Sequence, residues 1–300
     1  MAGTSDAVAD DALYVLTAAL LTPAQFPSLL GDDYPAACAV FGLEPWERGY
    51  GLVLGQDGDG ARWTVVVDDV SPVAVAIAAW DCGIEHDLSP DDRSMVCALP
   101  GWPLPVAVAA PGLDAPHDPP PDPEVEGAGP APLSPPDMES WGPAQRRLGA
   151  DEIARQWTSW RERLDDEAAS DDAASDAPDT ANGSGGSPAN GPGNGPGNGT
   201  ASAPAASPPA VSHPGLGRVL AEARAYLDAP PPPGRVRSSF AAGDARMLRV
   251  DGPGWSLVAR TDDMAFVLLD DEPGTVLPVG RGAELPGLLG ALDALAVRPA

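Results

Sequence analysis

Residues 169–211 lack nearly everything a fold is made from. They are almost wholly Ala, Ser, Asp, Pro, Gly and Asn, and they include Asn190-Gly-Pro-Gly-Asn194-Gly-Pro-Gly-Asn198-Gly. Such a segment buries too little apolar surface to offset the entropy of ordering it. It therefore reads as a disordered low-complexity linker, and it divides the chain. The expected organisation is an acidic α+β module at 8–112, a Pro-rich linker at 113–139 and an amphipathic Trp helix at 140–168. The disordered tract follows at 169–211, and a second α+β module at 212–298 closes the chain. The fold class implied is α+β, with two small modules, each an antiparallel sheet with flanking helices.

The first module opens with Leu13, Leu16, Thr17 and Leu20 at i, i+3, i+4 and i+7, the spacing of one buried helical face. Asp33 is placed to cap a second helix that runs through Phe41 and closes at Gly42. Strands are expected at 50–55, 62–68, 73–80, 94–98 and 104–110, the first two joined by the hairpin residues Gln56-Asp-Gly-Asp-Gly60. Val73–Trp80 is apolar on both faces, which suits a strand in a sheet interior. Residues 113–139, with His117-Asp-Pro-Pro-Pro-Asp-Pro123, read as an extended tether.

In the second module Ser212 is placed to cap a helix whose buried face is Leu216, Val219, Leu220, Ala223 and Leu227. Pro230–Pro233 forbid its continuation. Strands are expected at 245–250, 255–260, 264–270 and 275–279. A last helix at 284–296 presents Leu285, Leu288, Leu289 and Leu292 on one face. About 85 residues suffice for a marginal independent core. Both modules contain a Trp-led strand, at Trp63 and at Trp255, each after an Asp/Gly turn; a duplication or an ordinary anchored hairpin produces that pattern.

Charge restricts the classes of partner. There are 17 Lys+Arg and 44 Asp+Glu, a net charge of −27, and every basic residue is Arg. Residues 1–112 hold three Arg against sixteen acids (−13), 113–215 five against seventeen (−12), and 216–300 nine against eleven (−2). Lys is absent and Ile occurs only at 77, 84 and 153, which points to a GC-rich genome such as that of an actinomycete. Without Lys there is no Schiff-base lysine and no phosphate-loop lysine. So acidic a chain repels nucleic acid and anionic membrane, and it attracts a basic protein surface. No basic n-region precedes the apolar run Ala12–Leu21, and no run reaches the roughly 18 apolar residues of a membrane span. Cys38, Cys82 and Cys97 are odd in number and without CxxC spacing, which fits unpaired thiols in a reducing cytoplasm.

Two constellations compete as functional sites. Ile153, Trp157, Trp160 and Leu164 are spaced 4, 3 and 4 and form one narrow stripe. Trp is enriched at binding hot spots, and this stripe lies between two Pro- or Gly-rich stretches. It packs back on the first module, self-associates or binds a groove of another protein. The other candidate is Cys82-Gly-Ile-Glu-His86, with Asp81, Asp87 and Cys97 near in sequence. Its ligand types suit zinc, but it lacks the two spaced ligand pairs of structural sites. As a Cys–His nucleophile pair it needs a spatial adjacency that spacing does not give. The simpler reading ends a strand there, with Cys82 and Cys97 buried as small hydrophobes. Asp57-Gly-Asp-Gly60 lacks the bidentate Glu of a calcium loop. Gly280-Arg-Gly282 before the last helix has the composition of an anion-binding nest. The function expected is therefore non-enzymatic protein–protein interaction of adaptor, chaperone-like or immunity type, with no cofactor and the Trp stripe as contact. The alternative is an enzyme or metal-binding protein centred on Cys82 and His86.

Overall fold

The computed structural model describes residues 12–120, 130–175 and 213–298. Two antiparallel sheets with helices around them make an α+β protein. The first sheet has the order β1 (Tyr14–Leu21), β2 (Tyr50–Gln56), β3 (Arg62–Val67) and β4 (Met95–Pro100). The second runs β5 (Val236–Phe240), β6 (Arg246–Gly252), β7 (Trp255–Arg260), β8 (Ala265–Leu269) and β9 (Val276–Val279). The helices are α1 (Tyr34–Ala39), α2 (Val70–Asp81), α3 (Pro143–Arg155), α4 (Trp157–Ser175), α5 (Pro214–Asp228) and α6 (Leu285–Leu295). The tract expected to be disordered lies outside the described residues, apart from 169–175, which carry α4 onward.

The first segment overturns its expected helix. Tyr14–Leu21 is strand β1, paired with β2, and the register slips between Val15 and Thr17. The leucines that mimic a helix lie on both faces of this strand, Leu13 and Leu20 on one and Leu16 on the other. A strand alternates with period 2, and one inserted residue converts an i, i+2 step into i, i+3. Leu13 and Val15 before the bulge and Ala18 and Leu20 after it all pack on one side of the sheet, with Val53, Val65 and Val67. Leu16, Ala19 and Leu21 pack on the other side, with Phe26, Tyr34 and Trp102.

The expected strand at 73–80 is instead helix α2. The Asp69 side chain accepts a hydrogen bond from the Ser71 N–H at its start. Four alanines lie within it, and helix propensity and capping outweigh the β preference of Val73, Val75 and Ile77. Val73 and Ala76 are buried against the sheet. The expected strand at 104–110 is irregular chain. Pro103 and Pro105 donate no ladder hydrogen bonds, and the Ala110 N–H donates to the Gln56 side chain. Leu104 and Val106 still pack on the Trp102 side. Asp33 caps α1 as expected, accepting from the Ala36 N–H at 2.8 Å.

The Pro-rich stretch is fastened to the sheet where it is described. The Arg62 N–H donates to the His117 carbonyl at 2.8 Å, and the Leu133 N–H to Pro100 at 2.8 Å. Residues 121–129 lie outside the described residues.

The second sheet is a simple meander, β5 to β9 in sequence order, with α5 and α6 packed on one face. The four expected strands are present, and the short polar strand β5 precedes them. Ser212 lies outside the described residues; the His213 ring caps α5, accepting from the Gly215 N–H at 3.1 Å. On α5, Val219 and Ala223 are buried and Leu227 is exposed; Tyr226 packs in its place. On α6, Leu285, Leu288, Leu289 and Leu292 are all buried.

The β6–β7 turn is Pro253-Gly254, where Pro presets φ and Gly254 takes φ 78°. The closing pair is Gly252 and Trp255. The Trp255 indole is fully buried, stacks on Tyr226 with centroids 6.0 Å apart and donates to Glu222. A Cβ on Gly252 would overlap that indole. Gly252→Ala is expected to cost about 1–3 kcal/mol through overpacking, read in urea unfolding followed by Trp fluorescence. An unchanged midpoint would show that the indole has room to move.

The described residues up to Arg155 and from His213 onward form one compact unit; those from Gln156 to Ser175 belong to a second. Within the first unit, α3 packs on the 3-10 turn Ser28–Leu30 and on β7 and β8. It therefore touches residues from both sheets' neighbourhoods.

Candidate functional site

Among the described residues the densest cluster of charge is a largely buried arginine–aspartate network around α3. Arg146 is fully buried and donates to Asp270 at 2.7 Å and to Asp32 at 2.8 Å; Asp251 lies 3.8 Å away. Its guanidinium also donates to Ser256. Arg147 pairs with Asp32 at 3.1 Å. Arg249 reaches Asp151 at 2.6 Å and Asp251 at 3.0 Å, and Arg237 reaches Asp251 at 3.2 Å. Arg235 pairs with Asp33 at 2.8 Å. Five arginines thus face five aspartates, Asp32, Asp33, Asp151, Asp251 and Asp270.

Burial alone would push the Asp251 carboxyl up. The Arg249 and Arg237 charges and hydrogen bonds from Ser256 and Arg249 outweigh it and hold Asp251 below the ordinary carboxylate range. Burial pulls Arg237 down from the usual guanidinium value. For Arg249 the Asp251 and Asp151 carboxylates overcome burial and push it up. A guanidinium remains cationic in either case. Five cations against five anions leave no net charge over for a ligand, so the network is structural cement between the two sheets.

The Cys82–His86 segment does not follow α2 as a strand end. Cys82 terminates α2, its N–H bonded to the Ala78 and Ala79 carbonyls, and its side chain is exposed. This corrects its expected burial. His86 is partly exposed, and its carbonyl accepts from the Trp80 indole N–H at 3.0 Å. Cys97 is partly buried on β4 and Cys38 is buried on α1. Burial pushes both of those thiols up, away from the nucleophilic thiolate. Among the described residues no group of three or more His, Cys, Asp or Glu is arranged to hold a metal ion.

The Trp stripe is split between two helices. α3 ends at Arg155 and α4 starts at Trp157, with a turn at Gln156. Ile153 belongs to α3 and is fully buried in the first unit. Trp157, Trp160 and Leu164 lie on α4 in the second unit, Trp157 buried and the other two partly exposed. The Arg163 guanidinium sits over the Trp160 ring at 3.6 Å, and Arg161 pairs with Asp165 at 2.6 Å along the helix.

Gly280-Arg281-Gly282 does not open toward an anion. The Gly282 N–H donates to the Gly280 carbonyl, and the Arg281 guanidinium donates to the Asp262 carbonyl. Beside it is a shallow pocket of about 250 Å³ between α5 and α6, lined by Leu220, Arg224 and Leu288. Arg224 there is already paired with Glu284 at 2.6 Å.

One surface combines exposed apolar side chains with an unneutralised rim. α2 is apolar nearly all round, a composition typical of a helix covered on both faces. Only one face is covered: Val75 is 57% exposed, and Ile84 just beyond the helix is 60% exposed. Asp68 and Asp69 before the helix, Asp81 at its end and Glu85, Asp87, Asp91 and Asp92 in the loop after it flank it along the chain, all exposed. The sequence signal for this surface was present in the length and uniform apolarity of 70–80, but reading it as a strand hid it. Compared with known proteins, the chain matches no family model, no curated protein and no solved structure. No helix among the described residues is long and apolar enough to cross a membrane.

Proposed function

We propose that this chain is a non-enzymatic protein of the cytoplasm that works by holding another protein whose surface is basic. The observation that carries this reading is the placement of charge. The arginines are largely engaged with carboxylates of the same chain, in the network around α3 and in pairs such as Arg62–Asp118 and Arg260–Asp262. The seven carboxylates between Asp68 and Asp92 face solvent instead, around apolar side chains. Acids left over at a surface attract a cationic partner at long range and repel nucleic acid.

The test is capture of a partner by the tagged full chain from lysate of its own cells, then reconstitution of the purified pair. The expected result is a stoichiometric partner whose association slows about tenfold or more from low to high salt, with dissociation little changed. No stoichiometric partner, or an association rate flat in salt, overturns the reading.

A further inference from the structure

We infer that the open face built by α2, Ile84 and β4 is where that partner docks, by an apolar ridge flanked with arginine or lysine. This rests on the reading above and adds an address to it. α2 lies over β1 and β2, Leu88 of the loop after it packs with Val65 and Val67 of β3 on the same sheet face, and side chains of β4 stay exposed beyond it. On that side Met95 stands opposite Val67 and Ala98 opposite Val65, so both share the face that α2 occupies. Met95 and Ala98 are exposed, and Val96 in the bulge beside them is 46% exposed. β4 is also an edge strand. Exposed apolar side chains from a helix, a loop and an edge strand together mark an interaction surface, where single ones do not.

Charge complementarity names the occupant. From Asp68 to Asp92 there are seven carboxylates and no basic side chain before Arg93 except His86. A second copy of the chain would bring the same acidic rim and a net −27 against its like. The chain's own remaining segments, 1–11, 121–129, 176–212 and 299–300, contain no Arg or Lys, and the first three carry further acids. None of them supplies the cations that this rim calls for; a basic partner does, and its apolar ridge covers Val75, Ile84 and Met95.

The probe is a dye-labelled synthetic helical peptide with leucines on one face flanked by arginines, titrated into the full chain by fluorescence anisotropy. The wild type is expected to bind it. Val75→Asp with Ile84→Asp should weaken binding at least tenfold, as should Asp81→Arg with Glu85→Arg, which leaves the apolar face intact. Both pairs of positions are exposed, and far-ultraviolet circular dichroism reports that each variant is folded. A peptide with glutamates in place of the arginines should bind at least tenfold more weakly.

Equal binding by both variants, or equal binding of the two peptides, overturns the docking site. So does a wild-type dimer in sedimentation that Val75→Asp splits, because a second copy then occupies the face. The two levels fail separately. A captured partner still retained by the Val75→Asp, Ile84→Asp chain removes the address and leaves the partner-binding reading standing. Absence of any captured partner removes the reading itself.

Discussion

Arg146→Met should lower the unfolding free energy by about 3 kcal/mol, the cost of removing a buried cation from carboxylates that are partly or fully buried. Arg146 is fully buried and its guanidinium joins Asp32, which precedes α1, to Asp270, which follows β8, and to Ser256 on β7. Methionine fills much of the same volume but supplies no donor. Asp270 loses its cation and the buried Asp251 loses one of its neighbours. The cost arises from that uncompensated charge and is no measure of what the pair contributes, since burial itself opposes both ions. Urea unfolding at neutral pH measures it; a loss under about 1 kcal/mol would show that water reaches the network.

The same network sets acid behaviour. Asp251 is held below the ordinary carboxylate range in the folded protein. Its ionisation therefore stabilises the fold fully above the unfolded value of about 3.9, and that contribution is lost as pH falls through the lower folded value. Stability should hold from neutrality to about pH 4 as far as this group is concerned, and fall below it.

Cleavage in the low-complexity tract should leave two fragments that stay together. Protease is expected to cut between 176 and 211, where the composition is Gly, Pro, Ser, Asn and Ala. The part before the tract and the part after it are bound by more than α3. The Tyr34 N–H donates to the Pro233 carbonyl at 2.9 Å, Arg237 donates to Ser28 at 3.1 Å, and the Trp141 indole donates to the Asp270 carbonyl at 3.1 Å. Arg235–Asp33 and Arg249–Asp151 join them. The nicked chain should elute from a sizing column as one species in native buffer and as two in denaturant. Combined with Arg146→Met, the cut should release the pieces. Separate elution of the wild-type fragments would show that the interlock is too weak to act without the covalent link.

The parts of the fold legible in the sequence are those whose signals are local. β6 to β9 are written in short, mostly apolar runs set between turns such as Asp251-Gly-Pro-Gly254. α6 is written in four leucines at helical spacing, and the α1 cap in Asp33. β1 was hidden because both of its faces are apolar, so Leu13, Leu16 and Leu20 fall at helical spacing although they pack on opposite sides of the sheet. α2 was hidden by Val and Ile in a segment whose cap and alanines prevail. The arginine–aspartate network was illegible for a different reason. Its partners lie far apart, as Arg146 and Asp270 do at a separation of 124 residues, and no periodicity records such a pairing. The Trp stripe was legible as a pattern, but the turn at Gln156 divides it between helices. The acidic excess was legible as a number, and only the fold placed part of it around apolar surface.

The long span between Arg146 and its acceptors has a consequence for birth of the molecule on the ribosome. Ser256 and Asp270 are translated after the tract, so α3 leaves the exit tunnel with the Arg146 guanidinium lacking most of its acceptors. At about 5–20 residues per second, the 124 residues from Arg146 to Asp270 take roughly 6–25 s to make. During that interval the nascent first sheet has Asp32 to offer Arg146 and Arg147, and its Asp33 and Ser28 await Arg235 and Arg237. The low-complexity tract then sets the timing of closure, because the last strands must emerge before the early half of the chain can complete its core.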